Sequence, residues 1–188
     1  VIDPIDGTSN FANGLPHYGI MLGLLKINLP IAGGIALPAY SEVYYGEKHH
    51  GALCNNERIQ VTNEVNLLSS LIAYGIDGHQ ENPDLTRSEI KILGEIILNI
   101  RYLRSSNSVF DTCLVGIGKY GASINRTSKI WDNVAQQLII EEAGGLYTDF
   151  FGDPINYNDP LNKIDKNYTW CFGAPVIHKK LQEIIKNI

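Results

Sequence analysis

The chain is poor in cysteine, methionine and positive charge: its 188 residues include three Cys, one Met and 15 Lys+Arg against 20 Asp+Glu. A formal charge of -5 excludes a surface built to neutralise nucleic acid or an anionic membrane, so neither is an expected partner. Any phosphate it takes must be held locally, by backbone amides or metal ions. Cys54, Cys113 and Cys171 are odd in number and far apart, with no zinc-ligand or redox-motif spacing. Reduced thiols in a cytoplasmic protein are expected. No apolar run approaches the roughly 18–20 residues that span a bilayer; the stretch Ile20 to Leu29 is broken by Gly23, Lys26 and Asn28. Neither an internal repeat nor a low-complexity tract nor a signal-peptide pattern is present. What is there is a globular composition, 44% hydrophobic and 19% charged, sufficient for one domain or two closely joined halves. The sequence opens on Val1-Ile2-Asp3-Pro4, which reads as a strand end running into a turn, so a fragment of a longer domain is expected.

Hydrophobic patterning divides the chain near residues 62–70. Before it, the apolar runs Tyr18 to Leu25, Ile31 to Leu37, Val43 to Tyr45 and Ile59 to Val61 are separated by turn signals at Asn28-Leu29-Pro30, Pro38, Gly46 and Asn55-Asn56. Such short separations favour antiparallel meanders. After it, strands and helices alternate. Leu71 to Tyr74, Ile100 to Leu103, Tyr120 to Ile124 and Thr169 to Phe172 read as strands. Thr86-Arg87-Ser88-Glu89 has capping-box spacing and predicts a helix over 87–99. Helices are also predicted over 108–118, 131–143 and 178–186; Val134, Ala135, Leu138 and Ile139 form the stripe of the third, and Gly144-Gly145 stops it. The expectation is a layered α/β architecture with one antiparallel and one mixed sheet, residues 1–66 forming one half and 67–188 the other.

The chemistry concentrates in Asp3-Pro4-Ile5-Asp6-Gly7-Thr8. Pro4 fixes its own φ and biases Asp3 toward an extended conformation. If the chain turns there, Asp3, Asp6 and the Ile5 carbonyl can converge on one hard cation, and magnesium prefers such oxygen ligands. Gly7 lets the backbone approach a bound group, and a short helix from Thr8 would turn free N–H groups toward an anion. The Thr8 hydroxyl could orient a water. The bland alternative is a surface turn of ordinary Asp-Pro-x-Asp-Gly type. Asp132 sits in the first turn of the clearest helix, where the dipole favours a carboxylate; alone, it reads as a cap.

Asp3-Pro4-Ile5-Asp6-Gly7-Thr8-Ser9-Asn10-Phe11, with Gly14 and Pro16 behind it, resembles the first signature of the inositol monophosphatase family. Trp131-Asp132-Asn133-Val134-Ala135, then Glu142-Ala143-Gly144-Gly145, resembles the second. Gly51-Ala52-Leu53-Cys54-Asn55-Asn56 is similar to a hairpin between them, and Arg104-Ser105 and Cys113-Leu114-Val115 also fall in place. The resemblance implies an αβαβα sandwich and a Mg2+-dependent, lithium-sensitive phosphatase of a small-molecule phosphate monoester. It implies that Asp3, the Ile5 carbonyl, Asp6 and Asp132 bind metal, that Gly7 and Thr8 donate N–H groups to phosphate, and that Thr8 helps place the water. The resemblance further implies that metal-activated water would attack phosphorus in line, with no covalent phosphoenzyme expected. The family is commonly dimeric, which leaves a homodimer open.

Three departures matter. The family's N-terminal helices, which carry a metal-binding glutamate and an acidic partner that helps activate water, have no counterpart here, so the sandwich is expected to lack them. Asn107 and Val109 stand where inositol phosphatases have small substrate-contacting residues. Asn125 stands where the family places a glutamate for inositol hydroxyls, and it cannot make the same charged contact. With Asp132, these three are the candidate substrate contacts. A histidinol-phosphate phosphatase and a non-catalytic fragment are the alternatives. His17, His49, His50, His79 and His178 read as solvated or structural, Asp77-Gly78 as a turn, and Glu141 and Glu142 as a solvated face.

Overall fold

The computed structural model describes residues 1–187. The first half folds as a six-stranded antiparallel sheet in chain order: β1 (Ile2–Asp6), β2 (Gly19–Lys26), β3 (Leu29–Leu37), β4 (Glu42–Glu47), β5 (Gly51–Cys54) and β6 (Glu57–Arg58). A five-residue helix α1 (Thr8–Ala12) lies between β1 and β2. The second half contributes β7 (Leu71–Gly75), α2 (Pro83–Asn99), β8 (Tyr102–Arg104), α3 (Val109–Gly116), β9 (Ala122–Ser128), α4 (Ile130–Glu142), β10 (Leu146–Thr148), β11 (Tyr168–Gly173) and α5 (Pro175–Lys186). Its five strands form a mixed sheet in the order β10-β11-β9-β7-β8, with β7 parallel to β8 and β9.

Most elements fall where the hydrophobic pattern puts them, and the exceptions have physical causes. Pro30 is not a turn residue: the β2–β3 turn is made by Ile27 and Asn28, both at positive φ, and Pro30 lies in β3 opposite Leu25, beside a register shift where its missing N–H costs little. Ile59 to Val61 is not a strand. Ile59 N–H bonds to the Ala52 carbonyl and Val61 N–H to the Ala143 carbonyl, while Val61 is buried in the core. Helix α2 starts at Pro83 rather than at Arg87, because proline is well suited to the first helical position. The Thr86 hydroxyl is no cap; it accepts from His79 N at 2.8 Å.

Helix α4 is the joint between the two sheets. Its predicted stripe of Val134, Ala135, Leu138 and Ile139 is fully buried, against β2, β3 and β4 on one side and β10 and β11 on the other. Gly23, Gly33 and Gly46 are cross-strand partners in adjacent strands. They form a trough without side chains in which the helix backbone lies. A Cβ on Gly33 would stand 2.7 Å from the Ala135 carbonyl oxygen, and one on Gly23 2.6 Å from a Val134 methyl. At the far end of the helix Glu142 accepts from His49 N at 2.8 Å and Gly51 N at 2.7 Å, so it clamps the β4–β5 turn instead of forming a solvated face. The layers run sheet, α3 and α4, sheet, then α2 and α5.

The outer face of the first sheet carries Ile2, Ile20, Leu22, Leu24, Val43 and Tyr45, all exposed. Register makes them contiguous: Ile2 is opposite Leu22, while Ile20 and Val43 are both opposite Ala36, and Leu22 and Tyr45 both opposite Gly34. A face of this kind associates in water. Sedimentation of the chain is expected to show concentration-dependent association, and Leu22→Lys combined with Leu24→Lys to shift it toward monomer. Unchanged association in that double variant would assign self-contact to another surface.

Candidate metal and phosphate site

Asp3 and Asp6 lie three residues apart in β1, and in a regular strand they would face opposite sides. The pairing of β1 with β2 slips between them: Asp3 is opposite Met21 and Asp6 opposite Gly19. The irregularity falls at Pro4-Ile5, and it turns both carboxylates to one side. Asp132, third residue of α4, is delivered to the same place by the helix in the glycine trough. One carboxylate oxygen from each of Asp3, Asp6 and Asp132 lies within 4.8 Å of the others. Three acidic side chains this close, two half-buried and one buried, form an oxygen donor set that suits a hard divalent cation.

Each member is held from outside the trio. Asp3 accepts from Ile5 N at 3.1 Å. Asp6 accepts from Val109 N at the start of α3. Asp132 accepts from Lys129 N at 2.6 Å, which caps α4. Behind Asp132 a buried polar chain fixes the start of the helix. Asn133 donates to Ser128 Oγ at 2.9 Å and accepts from Tyr147 O–H at 3.1 Å; Gln136 donates to the same Tyr147 oxygen at 2.9 Å and accepts from Thr112 at 2.6 Å. All of its polar atoms are satisfied internally, which makes such a network rigid.

The turn after Asp6 has the predicted form. Gly7 is at φ 75, ψ 38 and precedes α1. A Cβ there would meet the His17 carbonyl oxygen at 2.7 Å and Ser108 Cβ at 2.8 Å, so glycine is required both by its conformation and by the packing. The Thr8 hydroxyl donates to the Ile5 carbonyl at 2.9 Å, leaving that oxygen a second lone pair. Asn10 ties α1 down, donating to the carbonyls of His17 at 2.7 Å and Ser106 at 2.8 Å.

The trio opens on a cavity of about 150 Å³. Asp6 and Asp132 line it, and so do the candidate contacts Asn107, Val109 and Asn125. Val109 is 2% exposed, and its link to the trio is the backbone N–H bonded to Asp6. Asn107 donates to Asp77 at 3.1 Å, and Asn125 accepts from Thr127 N at 2.6 Å. Sequence reasoning missed Asp77, Asp111, Thr127 and Trp170, which line the same cavity. Asp77-Gly78 carries a turn signal that hides a cavity residue, and Asp111 and Trp170 carry no motif.

The trio's electrostatics are frustrated. Burial, helped by the charges of Asp3 and Asp111, pushes Asp6 up to about 7 against the opposing Val109 N–H. Burial raises Asp132 as well, with further contributions from Asp6 and Asp3. A carboxylate raised in this way binds its proton more tightly in the folded chain than in the unfolded one, where it titrates near 4. Its contribution to stability is full below about pH 4 and is lost progressively as pH rises, up to about 7 for Asp6 and about 8 for Asp132. His178, lowered by burial, acts oppositely below its ordinary range. In a chelator, the melting temperature is expected to fall between pH 6.5 and 8, and saturating Mg2+ to flatten that slope. A chelated protein whose melting temperature holds constant or rises over this interval would contradict a buried, mutually repelling trio.

Comparison with known proteins adds to this geometry. A sequence model described as the inositol monophosphatase family matches residues 1–186. A fructose-1,6-bisphosphatase/inositol-1-monophosphatase of Aquifex aeolicus is 34% identical over 163 residues, covering 84% of this chain and 59% of that protein. A Nus factor SuhB of Xylella fastidiosa is 30% identical over 153 residues, 81% of this chain and 55% of that protein. The solved inositol monophosphatase of Anabaena superposes with a TM-score of 0.88 at 28% identity, over 100% of this chain and 71% of that one. The chain thus spans less than two thirds of the length of some of the curated relatives it matches.

Proposed function

The chain belongs to the inositol monophosphatase family, and on that premise we propose that it hydrolyses a small-molecule phosphate monoester with Mg2+. The observation that carries this reading is the convergence of Asp3, Asp6 and Asp132 oxygens within 4.8 Å, two of them on a cavity wall. These residues, with the Ile5 carbonyl, would hold the cation; when bound, it supplies charge to stabilise the phosphoryl oxygens and lowers the pKa of a water. The N–H groups of Gly7 and Thr8, at the open start of α1, would take phosphate oxygens. The Thr8 hydroxyl spends its proton on the Ile5 carbonyl, so its oxygen faces outward as an acceptor that can orient the attacking water. Asp6 is kept in place by Val109 N–H, so movement of α3 would be felt at the trio. Asn107, Val109, Asn125 and Asp132 would surround the leaving group.

The test is phosphate release by the chain, in Mg2+ and in chelator, from inositol monophosphate and histidinol phosphate, with Asp6→Asn as control. Mg2+-dependent release that falls by about 10³-fold or more in Asp6→Asn is expected. If no ester is cleaved but Mg2+ and phosphate bind together, the chain is a ligand-binding scaffold. If neither binds, the reading is wrong.

A further inference from the structure

The cavity beyond the carboxylate trio has a polarity of its own. Its remaining wall is built from the end of β7 and the residues after it (Gly75, Asp77), the segment before α3 (Asn107, Ser108) and the strands β9 and β11 (Asn125, Thr127, Trp170). Among the described residues, no Lys, Arg or His lines it. Its charged groups are all carboxylates, while its neutral amides and hydroxyls can donate as well as accept. Asp77 receives one bond, from Asn107 Nδ2, and Asn107 is thereby oriented so that its Oδ1 lies near Gly75. Asp111 is 4% exposed and its Oδ1 has no hydrogen-bond partner. Asn125 commits its oxygen to Thr127 N and offers only its amide donor. Gly75 keeps the floor open: a Cβ there would stand 2.5 Å from Asn125 Nδ2 and 2.7 Å from Asn107 Oδ1.

A bound cation would compensate Asp3, Asp6 and Asp132, but not Asp77. A second phosphate or a carboxylate on the substrate would meet Asp77 and find no countercharge. A donor-rich, positively charged group would satisfy Asp77 and be compatible with an aromatic neighbour in Trp170. The cavity is small, about 150 Å³, which suits a small substrate group. We infer that this wall selects phosphate monoesters of small amino alcohols, with Asp77 as the countercharge to the substrate's ammonium group. This rests on the reading that the trio holds Mg2+ and the phosphate.

An isosteric series tests it: 2-aminoethyl phosphate, propyl phosphate and phosphoglycolate as substrates, and 3-aminopropylphosphonate, butylphosphonate and 3-phosphonopropionate as non-hydrolysable ligands by calorimetry in Mg2+. The ammonium compound is expected to exceed the neutral one about 10- to 100-fold in kcat/KM and in affinity, as for a hydrogen bond to a charged group, and the carboxylate to be weakest. Asp77→Asn should bring the ammonium-to-neutral ratio close to one, and Asp77→Glu should retain part of it. Equal binding of the three phosphonates, or an unchanged ratio in Asp77→Asn, overturns the inference while leaving the phosphatase reading intact. Failure of all three to bind in Mg2+ overturns the phosphatase reading and this one with it.

Discussion

Replacing Asp132 with asparagine is expected to stabilise the chelated protein at pH 8 and to abolish its response to Mg2+. Asparagine keeps the shape and the oxygen that accepts from Lys129 N, so the start of α4 stays capped. What it removes is a charge that burial and the neighbouring Asp6 and Asp3 disfavour. Each unit by which a buried carboxylate is raised corresponds to about 1.4 kcal/mol against the charged form, so relief of a few kcal/mol is expected. A chain of this size gains about 2–4 °C per kcal/mol, giving a rise of roughly 5–10 °C in the chelated melt. In the parent, Mg2+ at a hundred times its Kd should add about 2.7 kcal/mol; in Asp132→Asn that increment should vanish together with phosphate release. Higher stability with lost function separates a ligand-binding carboxylate from a structural cap. Were Asp132 only a cap, asparagine, an equally good capping residue, would leave both the melting temperature and the Mg2+ response in place.

That contrast also explains which features were legible in the sequence. Asp3, Asp6 and Asp132 were legible because each sits in a local context with its own chemistry: a proline-stiffened Asp-Pro-x-Asp-Gly turn and the first turn of a strongly patterned helix. The helix itself was legible because Val134, Ala135, Leu138 and Ile139 repeat at its period, and the strands because their apolar runs are short and bounded by turn residues. Features that depend on register were not. The slip at Pro4-Ile5 that brings Asp3 and Asp6 to one side needs the partner strand. The row of Gly23, Gly33 and Gly46 exists only once three strands are paired, since each glycine alone looks like a weak strand position. Asp77 was hidden by its own turn signal, and Glu142, placed on a solvated face by periodicity, is claimed by two backbone N–H groups about ninety residues earlier in the chain. Thr86 and Glu89 had capping-box spacing, yet the helix begins ahead of them at Pro83, and the buried Glu89 accepts from Tyr74 O–H at 3.1 Å.

The glycine trough gives the largest expected effect on stability. Gly33→Val should lower the melting temperature by more than about 10 °C, whereas Gly34→Ala, one residue along the same strand, should leave it within about 2 °C. The two glycines face opposite sides of β3. A Cβ at Gly33 meets backbone, 2.7 Å from the Ala135 oxygen and 3.0 Å from Ala135 Cα, and backbone cannot rotate away. Valine adds two more carbons at the same point, so α4 must lift from the sheet, and overpacking of this kind costs about 1–3 kcal/mol or more. At Gly34 the nearest atom to a new Cβ is the Tyr44 oxygen at 3.7 Å, an ordinary contact. The displaced helix carries Asp132 in its first turn, and a shift of about 1 Å at a reacting geometry is worth about 10²-fold in rate. Gly33→Ala, mild enough to fold, should therefore lose Mg2+ affinity and phosphate release beyond what its melting temperature accounts for, with Gly34→Ala as the matched control. Melting curves and Mg2+ titrations of the three variants check this. Equal behaviour of Gly33→Ala and Gly34→Ala would mean that the seating of α4 on β3 does not set the position of Asp132.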